Sequence, residues 1–323
     1  MSLSRRTLLA AAAATLPLTV SAQEAWPSRP IRFIVPFPAG GSTDVLSRVI
    51  AERLGTELGQ PVVIENRAGA AGNVGVDAVA KARPDGYTIG ISTIGPLATH
   101  QSLYRQLPFN PATDFTLLAD LYEIPNVFVV NPSTPIRTVP EFIAAAKARP
   151  GQMTFGTPGN GTTGHLGTEF FSRRVGIELT HVPYRTGAVA VQDLIAGRID
   201  MMFDNLPTII GQIQGGQIRP IGVSTAQRWP GLPDVPTMIE QGIADFDVTS
   251  WSGLIGPKDL PAPITQRITA AMLKVGADPA FQARFREMGA LATVGPPEQL
   301  QRRIASEVPR WAEVVRASGA RID

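Results

Sequence analysis

The strongest constraint on the fold is a recurring unit: a short β-type run, a Gly-rich turn, then a helical stretch. Ile31–Pro36 is such a run and leads through a turn into a helix predicted over Thr43–Leu58. Val62–Glu65, a helix over Val74–Ala82, the turn Pro84-Asp85-Gly86 and the run Tyr87–Ser92 complete a βαβαβ pattern. That order predicts a parallel sheet with helices on its faces. The pattern restarts with strands at Val127–Val130, Met153–Gly156, Leu179–Val182, Met201–Phe203 and Ile218–Ser224. Helices over Val139–Ala148, Leu166–Val175, Val189–Ile195 and Thr208–Ile213 are expected between them. Two α/β units are therefore expected in one chain.

The last third changes character. Val248–Gly256 reads as a strand, and Ile264–Gly276, Ala280–Met288 and Glu298–Ser318 as helices, with Pro309 expected to kink the last. These helices need a sheet to cover, so the chain is expected to return to the first unit. The expected division is a signal segment at 1–22, a first domain at 23–124 plus 250–323, and a second domain at 125–249. Its two crossings, Glu123–Asn126 and Asp247–Ser250, would serve as hinges.

The first 22 residues carry Arg5-Arg6, an apolar run from Leu8 to Val20, and small residues at Val20-Ser21-Ala22. That is the build of an export signal cleaved after Ala22, too short for a permanent membrane span. Ser4-Arg5-Arg6-Thr7-Leu8-Leu9 fits either a twin-arginine signal or an ordinary secretory one. The expected location is the periplasm. Arg5 and Arg6 also account for the charge. The whole chain has 29 Lys+Arg and 27 Asp+Glu, and the segment holds no acid, so the remainder is formally neutral. No global field draws in nucleic acid or an anionic membrane. With no cysteine and three dispersed histidines, no metal-ligand spacing occurs, and no metal or cofactor is expected.

Three loops leave predicted strands and open predicted helices: Pro36–Asp44, Ser92–Pro96 and Thr157–His165. Such loops lie at the carboxyl ends of strands, where open α/β sheets bind ligands. Helix N-termini offer unpaired N–H groups, glycines allow close approach, and Ser/Thr add donors, which together suit a carboxylate. Ser42, Thr43 or Asp44 could instead serve as a helix cap. Gly159–Gly164 matches G-x-G-x-x-G, but the acid at the right distance, Glu178, begins the next strand instead of ending it. Gly69–Gly75 reads as a tight helix entrance, with Asn66 or Arg67 as remote candidates. Asp204, at the carboxyl end of its strand, could face the same crevice or be structural. His165 has two readings, packing residue or ligand contact. His100 and His181 read as structural or exposed, and Trp251 as core packing. There is no G-x-S-x-G elbow and no paired carboxylates with assignable acid and base roles.

Six motifs occur in order: Phe33–Asp44, Glu65–Asn73, Pro84–Thr88, Gly159–His165, Val182–Arg185 and Met202–Pro207. Together they resemble the Bug family of solute receptors, the binding components of tripartite tricarboxylate transporters. The likeness runs from about Trp26 to the C-terminus. It implies an α/β, two-domain periplasmic-binding-protein fold of the type II class with ligand in the interdomain cleft. It implies a receptor, not an enzyme, that closes on a small carboxylate as a monomer and serves transporter subunits or a sensor kinase. It maps ligand contacts onto Phe37, Gly40, Gly41, Thr43, Ser92, Thr93, Gly161, Thr162, Thr163 and Asp204, to which the residue reading adds His165. Relatives often have Lys and a second Gly where this chain has Arg185-Thr186-Gly187. The alternatives are an exported enzyme acting on a small organic acid and a nucleotide-binding domain.

Overall fold

The structure is a computed structural model that describes residues 26–318, 321 and 322, so the predicted signal segment lies outside the described residues. The first unit runs β1 (Ile31–Val35), α1 (Ser42–Leu58), β2 (Val62–Asn66), a 3₁₀ turn at Ala70–Gly72, α2 (Asn73–Ala80) and β3 (Thr88–Thr93). A π-helical turn, Gly95–Thr99, and α3 (His100–Leu103) precede the long strand β4 (Phe115–Val130). The second unit is α4 (Val139–Ala148), β5 (Thr154–Thr157), α5 (Thr163–Val175), β6 (Thr180–Pro183), α6 (Gly187–Ile195), β7 (Met201–Asn205), α7 (Leu206–Gln214) and β8 (Arg219–Val223). The chain closes with β9 (Thr249–Pro257), α8 (Ala262–Ala277), α9 (Pro279–Glu287), β10 (Leu291–Gly295) and α10 (Pro297–Ser318).

The strands follow the order β2-β1-β3-β9-β4-β7-β5-β6, and β8 and β10 also pair with β4. β1 is parallel to β2 and β3, and β5 is parallel to β6 and β7. β9 lies antiparallel between β3 and β4. The sequence reading caught only the last residues of β4, because Asp120, Glu123, Pro125 and Asn126 break its apolar pattern. Those residues mark where the strand changes partners. Phe115–Pro125 pairs with β9, and β10 joins at Asp120–Glu123; from Asn126 onward the partners are β7 and β8. One strand thus belongs to two sheets and gives the molecule two lobes.

Each sheet has its own packing. Ile31, Phe33, Leu46, Leu54, Leu254, Phe281 and Phe285 form the first core under α1, α8 and α9. Phe128, Phe155, Phe171, Phe203 and Phe246 cluster in the second, on the face covered by α4 and α5. This second cluster continues into Leu97, Leu103, Trp251, Leu300 and Trp311, so α10 packs against both the π-helical turn and α5. Gly164 draws α5 close to its strand: a β-carbon there would lie 2.5 Å from the Phe203 carbonyl oxygen.

α10 is fixed to β4 by a buried ion pair. Asp120, with no exposed surface, accepts from Arg303 Nε at 3.0 Å, Gln299 Nε2 at 2.9 Å and the Leu121 N–H at 3.1 Å. Burial raises its carboxyl above the ordinary value, and Arg303 and Gln299 oppose that rise. Removing one partner of such a pair leaves an uncompensated charge and costs about 3–5 kcal/mol. Arg303→Leu should therefore destabilise the chain by that order in urea unfolding at pH 7.5. A carboxyl whose folded pKa is raised binds its proton more readily when folded, so stability climbs as pH falls. The deficit of the variant should shrink at pH 5; a deficit equal at both pH values would show that Asp120 does not carry it.

Candidate functional site

The three loops named from the sequence end on one cleft of about 100 Å³ between the lobes. The first lobe supplies Phe37, Gly41, Ser42 and Thr43 from the β1–α1 loop, and Thr93, Ile94 and Gly95 after β3. The second supplies Gly161, Thr162, Thr163, Arg185, Thr186, Gly187, Asp204 and Thr208. Ser250, Trp251 and Ser252 of β9 form the wall where the lobes meet.

The β1–α1 loop brings the start of α1 to the cleft. Gly40 takes φ +83°, a left-handed conformation that favours glycine, and its N–H donates to Asp44 Oδ2 at 2.9 Å. Gly41 is the N-cap of α1 and has no capping side chain, so Ser42, Thr43 and Asp44 do not cap the helix. The first-turn amides therefore have no capping partner at the cleft, where the helix carries partial positive charge. Asp44 is directed elsewhere. Arg48 donates to it through Nε and a terminal nitrogen, each at 3.0 Å, and Asn66 Nδ2 donates at 2.8 Å. Burial pulls the Asp44 carboxyl up, but Arg48, the Gly40 N–H and Asn66 outweigh it and hold the group below its ordinary range. Asn66 also donates to the Phe37 carbonyl at 3.0 Å, so its role is to brace this loop. Beneath the loop, burial pushes the Tyr122 phenol up to about 12, with the Ser252 and Thr43 hydroxyls opposing the rise.

The third loop enters α5 through two left-handed glycines, Gly159 (φ +123°) and Gly161 (φ +81°). Thr162 is the N-cap; it accepts from the His165 N–H at 3.4 Å and its hydroxyl donates to the Gly159 carbonyl at 2.8 Å. Thr163 belongs to a wider network. Its hydroxyl lies 2.8 Å from Ser250 Oγ, which donates to Asn205 Oδ1 at 2.9 Å, and Asn205 Nδ2 donates to Ser42 Oγ at 3.2 Å. That last bond crosses from one lobe to the other. At its base, buried Asn126 donates through Nδ2 to the Val248 carbonyl at 3.0 Å and to Ser250 Oγ at 3.2 Å.

Three expected positions stand back from the lining. Gly40 supports the loop from its exposed outer side. Ser92 is fully buried, and its hydroxyl has no partner among the described residues. His165 accepts the Gly161 N–H on Nδ1 at 3.2 Å, and its ring stacks on His181 with centroids 4.4 Å apart. Burial lowers both histidines, His181 to about 4 with the charge of His165 adding to the effect, so they act as neutral packing beneath the loop. His100 is buried and its Nδ1 lies 2.7 Å from Asn73 Oδ1.

Asp204 lines the cleft and is 2% exposed. Its Oδ1 accepts the Asn205 N–H at 2.7 Å, while Oδ2 has no partner among the described residues. Burial pushes this carboxyl up to about 7, opposed only by the Asn205 N–H. Among the described residues, Asp204 and Arg185 are the only ionisable side chains of the lining. Trp251, read from the sequence as core, is both core and wall, and its indole N–H has no partner among the described residues. Strand alternation could have placed Ser250 and Ser252 together, but nothing in the sequence locates the Asn205–Ser42 contact.

No helix among the described residues is long and apolar enough to cross a membrane, and no group of three or more His, Asp or Glu side chains there could hold a metal ion. Comparison with known proteins extends the picture. The Protein BugT of Bordetella pertussis is 37% identical over 312 residues, covering 96% of this chain and 95% of that protein. Among solved structures, Rpa4515 of R. palustris with adipate superposes with a TM-score of 0.89 at 38% identity, over 92% of this chain and 100% of that one. MatC of Rhodopseudomonas palustris with bound malate gives 0.84 at 30% identity, over 90% of this chain and 100% of that one. The family model described as tripartite tricarboxylate transporter family receptor matches residues 46–320. The likeness runs through both lobes and the strand they share, and the chain belongs to this family of solute-binding receptors.

Proposed function

We propose that the chain is a periplasmic receptor that captures a small carboxylate between its lobes without transforming it. The observation that carries this reading is the uncapped N-terminus of α1, with Gly41, Ser42 and Thr43 opening on the cleft that Thr162, Thr163 and Asp204 face from the other lobe. An anion there is met by dipoles and hydroxyls without a dedicated cation. The binding set is Phe37, Gly41, Thr43, Thr93, Gly161, Thr162, Thr163 and Asp204, with Gly40, Ser92 and His165 supporting the loops. The family likeness, and the carboxylates bound to Rpa4515 and MatC, support the ligand class. A lining whose only ionisable groups among the described residues are Asp204 and Arg185 supports capture over turnover, since acid–base chemistry needs positioned partners.

Capture works by closure about Glu123–Asn126 and Asp247–Ser250, which divide 23–124 plus 250–323 from 125–249. The change of partners along β4 at Asn126 supports that division. Ligand favours closure only through its differential affinity for the closed arrangement. The export segment at 1–22 delivers the chain to the periplasm. There, as a monomer, it passes its ligand to transporter subunits or a sensor kinase.

A thermal-shift screen of residues 23–323, unfolded and refolded to strip bound solute, tests the reading against aliphatic, amino and aromatic carboxylates and NAD. A ligand at 100 times its dissociation constant stabilises by about 2.7 kcal/mol, several degrees for a chain of this size. A rise with one carboxylate, recovered unchanged, is expected; a rise with NAD alone, or conversion of the acid, would overturn the reading.

Thr43→Val should weaken the best ligand roughly tenfold or more, the worth of one hydrogen bond to a charged group. Thr162 is less suited to this test, because its loss as a cap costs about 1 kcal/mol of stability. Unchanged calorimetric affinity in Thr43→Val would remove this hydroxyl from the site.

A further inference from the structure

The chain has three histidines, far apart in sequence, and all three reach one loop of the second lobe. That loop joins β5 to α5, carries the left-handed glycines Gly159 and Gly161, and brings Gly161, Thr162 and Thr163 to the cleft. His165 Nδ1 accepts the Gly161 N–H at 3.2 Å. His181 Nε2 lies 2.6 Å from Thr157 Oγ1, which accepts the Gly159 N–H at 3.2 Å. His100, buried at the start of α3, has its Nε2 3.4 Å from the Gly161 carbonyl oxygen. Glycines have the widest choice of backbone conformation, and here both are tied through their amides.

The start of α5 gives a reason for an imidazole at position 165. Thr162 is the N-cap, and its hydroxyl oxygen accepts the N–H of His165, the third residue of the helix. That bond is the first half of a capping box. The second half is ordinarily a Glu or Gln at the third position, whose side chain reaches back to the amide of the cap. His165 occupies that position and reaches back one residue further, to Gly161. A lone pair on a ring nitrogen thus stands where a carboxylate is common.

A carboxylate at this point would set a negative charge behind Gly161 and Thr162, which face the proposed anion. The ring brings none. Because Nδ1 receives an N–H it holds no proton, so the single proton of the neutral ring sits on Nε2. The ring also stacks on His181, with centroids 4.4 Å apart and planes inclined by 27°, so a charge on it would meet a second imidazole and not an acid. Burial lowers His165 in the same sense.

Resting on the receptor reading above, we propose that His165 is the positioning residue of this binding loop: its ring lone pair holds Gly161 as a capping-box acid would, without bringing negative charge to an anion site. His181 orients the ring by stacking, and Thr157 holds His181 in turn. His165 stands behind the lining and acts through Gly161. A loop released from this brace has more freedom to lose when ligand binds, so affinity falls while the core of the lobe stays intact.

Three variants separate the lone pair, the ring and the charge. His165→Phe keeps a ring against His181 and has no acceptor. His165→Gln keeps a neutral acceptor and has no ring. His165→Glu keeps the acceptor and adds the charge. Malate and adipate are titrated calorimetrically into the mature chain at pH 7.5, and exchange of the Gly161 amide is followed by NMR without ligand. His165→Phe should weaken the tighter acid roughly tenfold, the loss of one buried hydrogen bond, and speed Gly161 exchange by a similar factor. His165→Gln should keep Gly161 protected and bind within about threefold of wild type, since Gln completes a capping box. His165→Glu should also protect Gly161 but bind about tenfold more weakly than His165→Gln, through repulsion of the anion. Nitrogen shifts of the wild-type imidazoles should place the His165 proton on Nε2, a test that stands even if His165→Phe does not fold.

A proton on Nδ1 of His165, or unchanged Gly161 exchange in His165→Phe, would overturn the inference. So would wild-type affinity in His165→Phe with weakened binding in His165→Gln, the pattern of a residue that only packs. Equal affinity in His165→Glu and His165→Gln would overturn the part that concerns charge. Binding of neither acid by the wild type would overturn the receptor reading for these ligands, while the amide exchange and the imidazole shifts still decide the brace.

Discussion

The structure depends on the side chain of Asn126. At the residue where β4 leaves one sheet for the other, its amide donates to the Val248 carbonyl and Ser250 Oγ, while its backbone N–H donates to Ser224 Oγ at 3.0 Å. A buried amide of this kind would cost heavily if left unpaired. Here it ties together the two places where the chain passes between lobes. The same polar chain extends through Ser250, Thr163 and Asn205 to Ser42 at the mouth of α1. The two crossings and the cleft floor are therefore one hydrogen-bonded unit.

At the mouth of α1 the cleft meets the partial positive charge of a helix start. Asp44 is the acid nearest the proposed anion position in sequence, and its three donors compensate its charge instead of leaving it to repel a ligand. At the opposite end, Asp204 has no cationic partner and rises towards neutrality. Two aspartates at the start of a helix and the end of a strand thus behave in opposite ways, because one is solvated by Arg48 and Asn66 and the other by a single N–H.

Much of this was legible from residue order. The strand–loop–helix alternation located the elements of both units, and the Gly- and Thr-rich loops fell on the cleft as expected. What escaped notice depends on contacts between distant residues. Phe115–Asn126 did not read as a strand because its polar residues are satisfied by α10 and by the crossing at 248–250, far away in sequence. Leu291–Gly295 is a short strand that pairs with β4, and it lies between two helical patterns. His165 follows a cleft loop yet turns inward, since His181 on the next strand offers a stacking partner that sequence spacing does not reveal. Trp251 is a core residue that also forms a wall, a double role that periodicity alone cannot separate.

The shared strand also has a kinetic consequence. The first lobe closes its sheet only when β9 inserts between β3 and β4, pairing Ser252 with Thr93 and Pro257 with Phe115. Those partners are separated by well over a hundred residues, so the loop-closure entropy is lost late, after the intervening lobe has been made. Until then β3 and β4 expose unpaired edges, the surfaces most prone to join a neighbouring chain. A nascent molecule is therefore vulnerable along these edges until its own residues 249–257 arrive.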